Sequence, residues 1–194
     1  MRKYIGLIVF AGIIGIIALW AISARNGMKR AEIAIGRQWS QVEVAYQARA
    51  DKTKNLVEIV KGASDYESQT LKDVVAARQK AIEIKLDGDD LTPEKIKAFE
   101  EAQQNLGGAI GRLLVENYPT LQAVQSFRDF QAQYEGMENR IAVERRKFND
   151  AVADYNTRIS MFPGNLLAGL FGFTPKEGFS AQAGTENAPD ISFK

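Results

Sequence analysis

A stripe of apolar side chains from Thr120 to Phe162 constrains this chain more than any other feature of its sequence. The apolar residues recur at steps of nearly always three or four positions, which places them on one face of a helix: Leu121, Val124, Phe127, Phe130, Tyr134, Met137, Ile141, Phe148, Val152, Tyr155, Ile159 and Phe162. Only Glu144 interrupts the stripe, and Pro119 and Pro163 bracket it, as expected at the two ends of a helix. Such a helix would be about 64 Å long. Because its stability in water would depend on covering the apolar face, the rest of the chain must supply partners for it.

A second apolar segment lies near the N-terminus, where Arg2 and Lys3 precede an uncharged run from Tyr4 to Ala24. About 20 apolar residues are enough for a helix to cross a bilayer core. The run exceeds the usual signal-peptide core of about 7–15 residues, so we prefer an uncleaved membrane anchor to a cleaved signal. The predicted anchor residues are Tyr4, Ile5, Leu7, Ile8, Val9, Phe10, Ile13, Ile14, Ile16, Ile17, Leu19 and Trp20.

The orientation of this anchor is ambiguous. Two basic residues precede it, and four follow it between Arg25 and Arg37. Counted alone, these charges favour a cytoplasmic location for the part of the chain that follows the anchor, which we call the body.

Further helices are predicted between the anchor and the long stripe. One helix is predicted from Lys29 to about Lys61, either separate from the anchor or continuous with it. Gly62 either ends this helix or lies within it. Ser64 and Glu67 have the spacing of a capping box for a helix that runs to about Leu86. A turn at 87–90 follows.

The next helix is predicted to begin at Pro93, with Thr92 as its cap. It carries a seven-residue apolar repeat with Gln103 as the polar member. Three glycines, Gly107, Gly108 and Gly111, lower its helix propensity. We interpret them as points of close helix approach, with a flexible hinge as the alternative.

The C-terminal part of the chain divides into an apolar segment and a polar one. The segment 163–173 is too short to cross a bilayer, and either caps the bundle or contacts a membrane or another subunit. Its candidate interface residues are Leu166, Leu167, Leu170, Phe171 and Phe173. The stretch 174–194 is poor in large apolar residues and is predicted to be a flexible tail.

The residue inventory argues against an enzyme. The chain has no Cys and no His, which excludes thiol nucleophiles, imidazole catalysis and the usual zinc ligands. Di-iron bundles need a Glu-x-x-His element, so we predict neither a metal nor another cofactor. No motif supports a Ser-Lys dyad. Arg49 and Glu144 interrupt apolar stripes, and we expect them to form a buried pair between helices.

Two runs of the sequence resemble the LemA family, one from Gln38 to Arg78 and one from Tyr134 to Phe173. The matching positions are Trp39, Ser40, Gln41, Arg49, Asn55, Leu56, Val57, Val60, Lys61 and Gly62. The chain departs from the family at residues 52–54, where Lys-Thr-Lys replaces the usual Leu-Ile-Pro. The resemblance implies a helical fold without an agreed activity. It also implies an exported body, because some similar chains carry a lipoprotein-type signal.

These features predict an all-α protein, an antiparallel up-down bundle of about four long helices tethered by one N-terminal transmembrane helix. The expected divisions are a basic N-terminus at 1–3, the anchor at 4–24, the bundle at 25–162, the apolar segment at 163–173 and the tail at 174–194. The expected location is the bacterial inner membrane, with the bundle on the periplasmic or extracytoplasmic side.

The leading functional prediction is a non-enzymatic scaffold or adaptor at the cell envelope. Alternatives are a regulatory partner of a membrane protease, which rests on the family resemblance alone, and a self-assembling protein that shapes membranes. Expected partners are the lipid bilayer and other proteins or further copies of the chain. The net charge of +1 gives no reason to expect nucleic acid.

Overall fold

A computed structural model of the chain describes residues 2–63, 69–88, 91–115 and 124–180. Within these ranges the regular secondary structure is helical, without a strand. The helices are α1 (Arg2–Ala63), α2 (Gln69–Glu83), α3 (Pro93–Val115), α4 (Gln125–Ser160) and α5 (Gly164–Phe171). The prediction of an all-α chain with a long apolar N-terminal helix is confirmed.

Helix α1 joins the apolar segment to the body without interruption. It has 62 residues and is about 93 Å long at about 1.5 Å per residue. It continues through Gly27 and Gly36, two positions at which the sequence allows flexing. All side chains from Tyr4 to Trp20 are exposed, whereas Met28, Ile35 and Trp39 are buried. Among the described residues, the apolar part of α1 is the one segment long and apolar enough to cross a membrane.

Helix α4 packs along α1 in the opposite direction. The rings of Trp39 and Phe148 have centroids 5.4 Å apart, and Arg49 forms an ion pair with Glu138 at 2.9 Å. Residue numbers rise along α1 while those of the partners on α4 fall, so the two helices are antiparallel.

Helix α2 also runs antiparallel to α1. Arg78 Nε donates to the Ala50 carbonyl at 2.8 Å, and Trp39 Nε1 donates to the carbonyl of Leu86, just beyond α2, at 3.0 Å. Helix α2 ends at Glu83, three residues before the predicted end. The chain thus leaves the helix early enough for the Leu86 carbonyl to reach the buried indole.

The body contains two clusters of buried side chains. The anchor-side cluster consists of Met28, Ala31, Ile35, Trp39, Val42, Ala45, Tyr46, Leu86, Ile96, Phe99, Ile141, Phe148, Val152, Tyr155, Ile159, Ala168 and Phe179. The far cluster consists of Ala50, Leu56, Val60, Leu71, Val74, Ala81, Leu106, Ala109, Ile110, Leu113, Phe127 and Phe130. On α1 the boundary between them falls between Tyr46 and Ala50, where Arg49 lies.

The predicted helix boundaries are met to different extents. Helix α3 begins at Pro93, and the Lys95 N–H donates to Thr92 Oγ1 at 3.4 Å. The long helix predicted for 120–162 is α4, at Gln125–Ser160. The predicted capping box at residues 64 and 67, part of the turn at 87–90 and the predicted start of the long helix lie outside the described residues.

The expectation of a flexible tail from residue 174 does not hold for residues 174–180. Asn149 Oδ1 accepts from the Phe179 N–H at 2.8 Å, and Asn156 Oδ1 accepts from the Lys176 N–H at 2.9 Å. The Phe179 ring is only 7% exposed. These residues form a strap along α4, held because each asparagine also donates to the carbonyl of the same residue. Residues 181–194 lie outside the described residues.

Candidate functional site

A layer of polar side chains separates the two apolar clusters, with Arg49 at its centre. Arg49 is 3% exposed. Its Nη1 donates to Glu138 Oε1 at 2.9 Å, and its Nη2 donates to the main-chain oxygen and the Oε1 of Gln103 at 2.7 and 2.9 Å. The guanidinium lies over the Tyr46 ring, 5.0 Å from its centroid. One arginine therefore joins α1, α3 and α4.

Neighbouring groups complete the layer. Gln103 Nε2 donates to the Ala81 carbonyl on α2 at 3.1 Å, so the network reaches a fourth helix. Tyr134 Oη donates to the Gly107 carbonyl at 3.2 Å. A Cβ atom at Gly107 would lie 3.1 Å from Arg49 Nη1, and glycine there lets α3 approach the arginine. Gly108 and Gly111 have no such neighbour on another helix.

A second charged contact lies beside the first. Arg145 on α4 forms an ion pair with Glu100 on α3, and its guanidinium lies 4.5 Å from the centroid of the Phe179 ring. The strap therefore covers a partly buried charge pair as well as Trp39 and Phe148.

The tyrosines of this region are kept neutral. Burial, and next the negative charge of Glu138, raise the pKa of Tyr134 to about 12. Burial also raises the pKa of Tyr46, although the nearby guanidinium groups of Arg145 and Arg49 oppose the change. A phenol with a raised pKa is a poor general base near neutral pH.

The chemistry open to this layer is narrow. The guanidinium groups of the buried Arg49 and the partly buried Arg145 are both paired with carboxylates, and a guanidinium cannot deprotonate in a protein. The cleft beside Arg49 has a volume of about 200 Å³. Within the part of the chain that the structure describes, no group of three or more carboxylates is placed to hold a metal ion. The arrangement is suited to clamping helices at one register.

The expected Arg49–Glu144 pair is wrong. Glu144 accepts from Lys147 on the same helix at 3.1 Å, and the partner of Arg49 is Glu138. The sequence contains a signal for Glu138, since it lies four residues after Tyr134 and three before Ile141, on the apolar face of α4. That spacing permits the contact but does not select it over Glu144, because the rotation of α4 about its axis decides which carboxylate faces α1.

The candidate interface residues divide between two environments. Leu167 and Phe173 are partly buried against the anchor-side cluster. Leu166, Leu170 and Phe171 are exposed. Met161 was not among the residues predicted from the sequence for an exposed apolar surface. It is 64% exposed and follows α4 together with the exposed Phe162.

Comparison with known proteins identifies similar chains. Magnetosome protein MamQ 2 of Paramagnetospirillum magneticum (strain AMB-1) is 40% identical over 85 residues, which are 43% of this chain and 31% of that protein. Magnetosome protein MamQ of Magnetospirillum gryphiswaldense is 39% identical over 85 residues, with the same coverage of both chains. The match therefore spans about a third of the length of these relatives.

A more distant relative covers more of the chain. Protein LemA of Metamycoplasma hominis is 23% identical over 168 residues, which are 87% of this chain and 74% of that protein. The profile of the LemA family matches residues 38–193. Since this match includes most of the chain, the protein belongs to the LemA family.

Proposed function

We propose that the protein is a non-enzymatic, single-pass membrane protein whose antiparallel up-down bundle serves as a scaffold or adaptor for other proteins at the cell envelope. One observation carries the proposal: the apolar segment and the core of the body share the continuous helix α1. A helix without a break transmits the position of the anchor to the body, so partners bound along the body are held at a set distance from the bilayer.

The surface and the core of the body support this role. The clamped polar layer keeps the four long helices in register, which suits a rigid support. Single apolar side chains such as Val44 and Val143, each about half exposed, offer contact points along the length of the body. The MamQ relatives are named as magnetosome proteins, and the scaffold role proposed here is argued from the structure of this chain and not taken from them.

Photo-crosslinking in living cells tests the adaptor role. A photoreactive amino acid would replace Val143 on α4 or, separately, Val44 on α1. Phe148, which is fully buried, is the matched control on α4, because a probe there can reach only the chain itself. We expect adducts of defined mass from Val143 and Val44 that contain the same partner, identified by mass spectrometry and reproduced from the partner's side.

The outcomes are distinct. Adducts that contain only further copies of the chain would contradict the adaptor role and favour self-assembly. A purified protein in bilayers that turned over a substrate in an unbiased activity screen would contradict the non-enzymatic assignment.

We further propose that the body lies on the extracytoplasmic side of the inner membrane, as the resemblance to exported chains implies. The positive charges after the apolar segment favour the opposite side, so a direct measurement is needed. The chain has no cysteine, and Ser180 is exposed, which makes Ser180→Cys a background-free label. We expect a membrane-impermeant maleimide to label it in intact cells, and labelling only after lysis would place the body in the cytoplasm.

A further inference from the structure

Four of the most exposed apolar side chains of the body lie close together in the chain, beside the end of the apolar segment. Apart from that segment and Val115, the described large apolar side chains that are more than 60% exposed are Met161, Phe162, Leu166 and Leu170. Together with Phe171, which is 39% exposed, they form what we call the apolar foot. A group of exposed large apolar side chains is typical of a site that contacts a membrane or another protein.

The packing of α5 and the backbone at its two ends keep the foot exposed. Ala168 and Leu167 hold the inner face of α5 against the anchor-side cluster. At the start of α5, a Cβ atom on Gly164 would collide with the Arg158 carbonyl. At its end, Gly172 has a φ of 74°, and the Phe173 N–H donates to the Ala168 carbonyl at 2.9 Å. Both ends of α5 are therefore specified by glycine, and its outer face cannot turn inward without breaking them.

The foot is level with the point where the apolar segment ends. Trp20 and Ala24 of α1 line the same cleft of about 410 Å³ as Met161 and Phe162. The Arg25 guanidinium lies 5.6 Å from the centroid of the Phe171 ring. Tryptophan at the end of a membrane segment is typical of the interfacial layer, which places the foot at the depth of that layer.

The charges around the foot match a lipid surface. Among the described residues, the cleft is lined by Arg30 and Arg158 and by no carboxylate. Arg158 forms an ion pair with Asp154 at 2.9 Å, so the positive charge beside the foot comes from Arg30 and from Arg25. Arginines next to apolar side chains are suited to lie at the phosphates while the apolar groups enter the acyl boundary. Two copies docked foot to foot would instead bring Arg25 and Arg30 of both copies close together, and this repulsion of like charges is unfavourable.

We propose that the apolar foot inserts into the interfacial layer of the same bilayer that α1 crosses, with Arg25 and Arg30 at the lipid phosphates. The inference rests on the proposed membrane anchoring and adds a second point of contact. One helix leaves the body free to tilt and rotate, whereas a helix and a foot fix its orientation relative to the membrane.

Site-specific fluorescence tests the insertion. Single cysteines replace Leu170 in the foot, Val143 on α4 and Ile16 within the apolar segment, and each carries an environment-sensitive fluorophore. The full chain is placed in vesicles of equal parts phosphatidylcholine and phosphatidylglycerol, with or without lipids that carry a quencher near the headgroup. We expect a blue shift and lipid-dependent quenching at Leu170 and Ile16, and neither at Val143.

Each other result overturns the inference in a recognisable way. If Ile16 responds and Leu170 behaves like Val143, the foot is in water and only the anchor holds the protein. If the Leu170 probe is blue-shifted in proportion to protein density but insensitive to the lipid quencher, a second copy covers the foot. If Ile16 does not respond, the membrane anchoring itself fails.

Charge variants separate the role of the phosphates from that of the apolar surface. The double variant Arg25→Gln and Arg30→Gln should reduce quenching at Leu170 while leaving it unchanged at Ile16. The double variant Leu166→Ser and Phe162→Ser should abolish the lipid-dependent quenching of the probe at Leu170. Both leucine and phenylalanine are exposed, so helical content should be retained. Full quenching at Leu170 in the serine variant would contradict insertion of the foot.

Discussion

Arg49 on α1 and Glu138 on α4 lie 2.9 Å apart at the level where the apolar core divides into two clusters. The arginine is buried and also donates to both oxygens of Gln103, so one side chain sets the relative register of three helices. Burying a charge is costly unless it is paired. Sliding α1 or α4 along its axis would separate the pair, so alternative registers of these two helices are disfavoured.

Truncation of Arg49 should destabilise the protein strongly. Arg49→Ala leaves Gln103 Oε1 and Glu138 without their common donor and opens a cavity in the core. We expect a loss of about 2–4 kcal/mol in the free energy of unfolding. Urea unfolding of the full chain in detergent, followed by circular dichroism, measures it. Lys54→Ala is the control, because Lys54 pairs with Glu58 at 4.0 Å on the surface and should change stability by less than about 0.5 kcal/mol. Equal effects of the two substitutions would contradict the clamp.

Two glycines of α3 should respond to alanine in opposite directions. Gly111 has no atom within 4 Å of an added Cβ, so Gly111→Ala should stabilise by about 0.5–1 kcal/mol through helix propensity. Gly107→Ala should destabilise by about 1 kcal/mol, because its Cβ would lie 3.1 Å from Arg49 Nη1 and push the guanidinium away from Glu138. The urea midpoints of both variants test this. Stabilisation by both would mean that Arg49 moves aside at no cost.

The strap should detach when one asparagine is removed. Asn149→Ala deletes the two hydrogen bonds to Phe179, each worth about 1 kcal/mol. We expect the Phe179 amide to exchange its hydrogen about ten- to a hundredfold faster, as measured by mass spectrometry. Asn165→Ala, at an exposed position on α5, is the matched control. Unchanged exchange at Phe179 would show that its ring alone holds the strap.

Alkaline pH should destabilise the protein through Tyr134. Its pKa is about 12 in the folded chain, against 10.0 for an unperturbed tyrosine, so the unfolded chain releases this proton first. The stabilisation is complete below the unfolded pKa and is lost as the pH rises through the folded pKa. Between pH 10 and about 12, the free energy of unfolding measured with urea should fall less steeply with pH for Tyr134→Phe than for the parent chain. Identical declines would mean that Tyr134 ionises as easily when folded as when unfolded.

Local spacing predicted the helices well, and it predicted little about which side chains meet. The cap at Thr92 and the stripe of α4 depend on residues within a few positions, so their signals are short and direct. The partner of Arg49 depends on the rotation of α4, and Glu138 and Glu144 are both plausible from spacing alone. The strap was missed because Asn149 and Asn156 bind backbone groups that lie 30 and 20 residues away in the chain.

The all-α class, the apolar segment of α1 and membership of the LemA family could be read from the amino-acid sequence, because helix periodicity, hydropathy and motif spacing are properties of neighbouring residues. Three other features became visible in the folded chain: Glu138 rather than Glu144 neutralises Arg49, Phe179 completes the aromatic core, and the apolar foot lies beside Trp20. Those outcomes depend on how distant helices rotate and slide against one another. Packing of the whole core selects that arrangement, and no single segment encodes it.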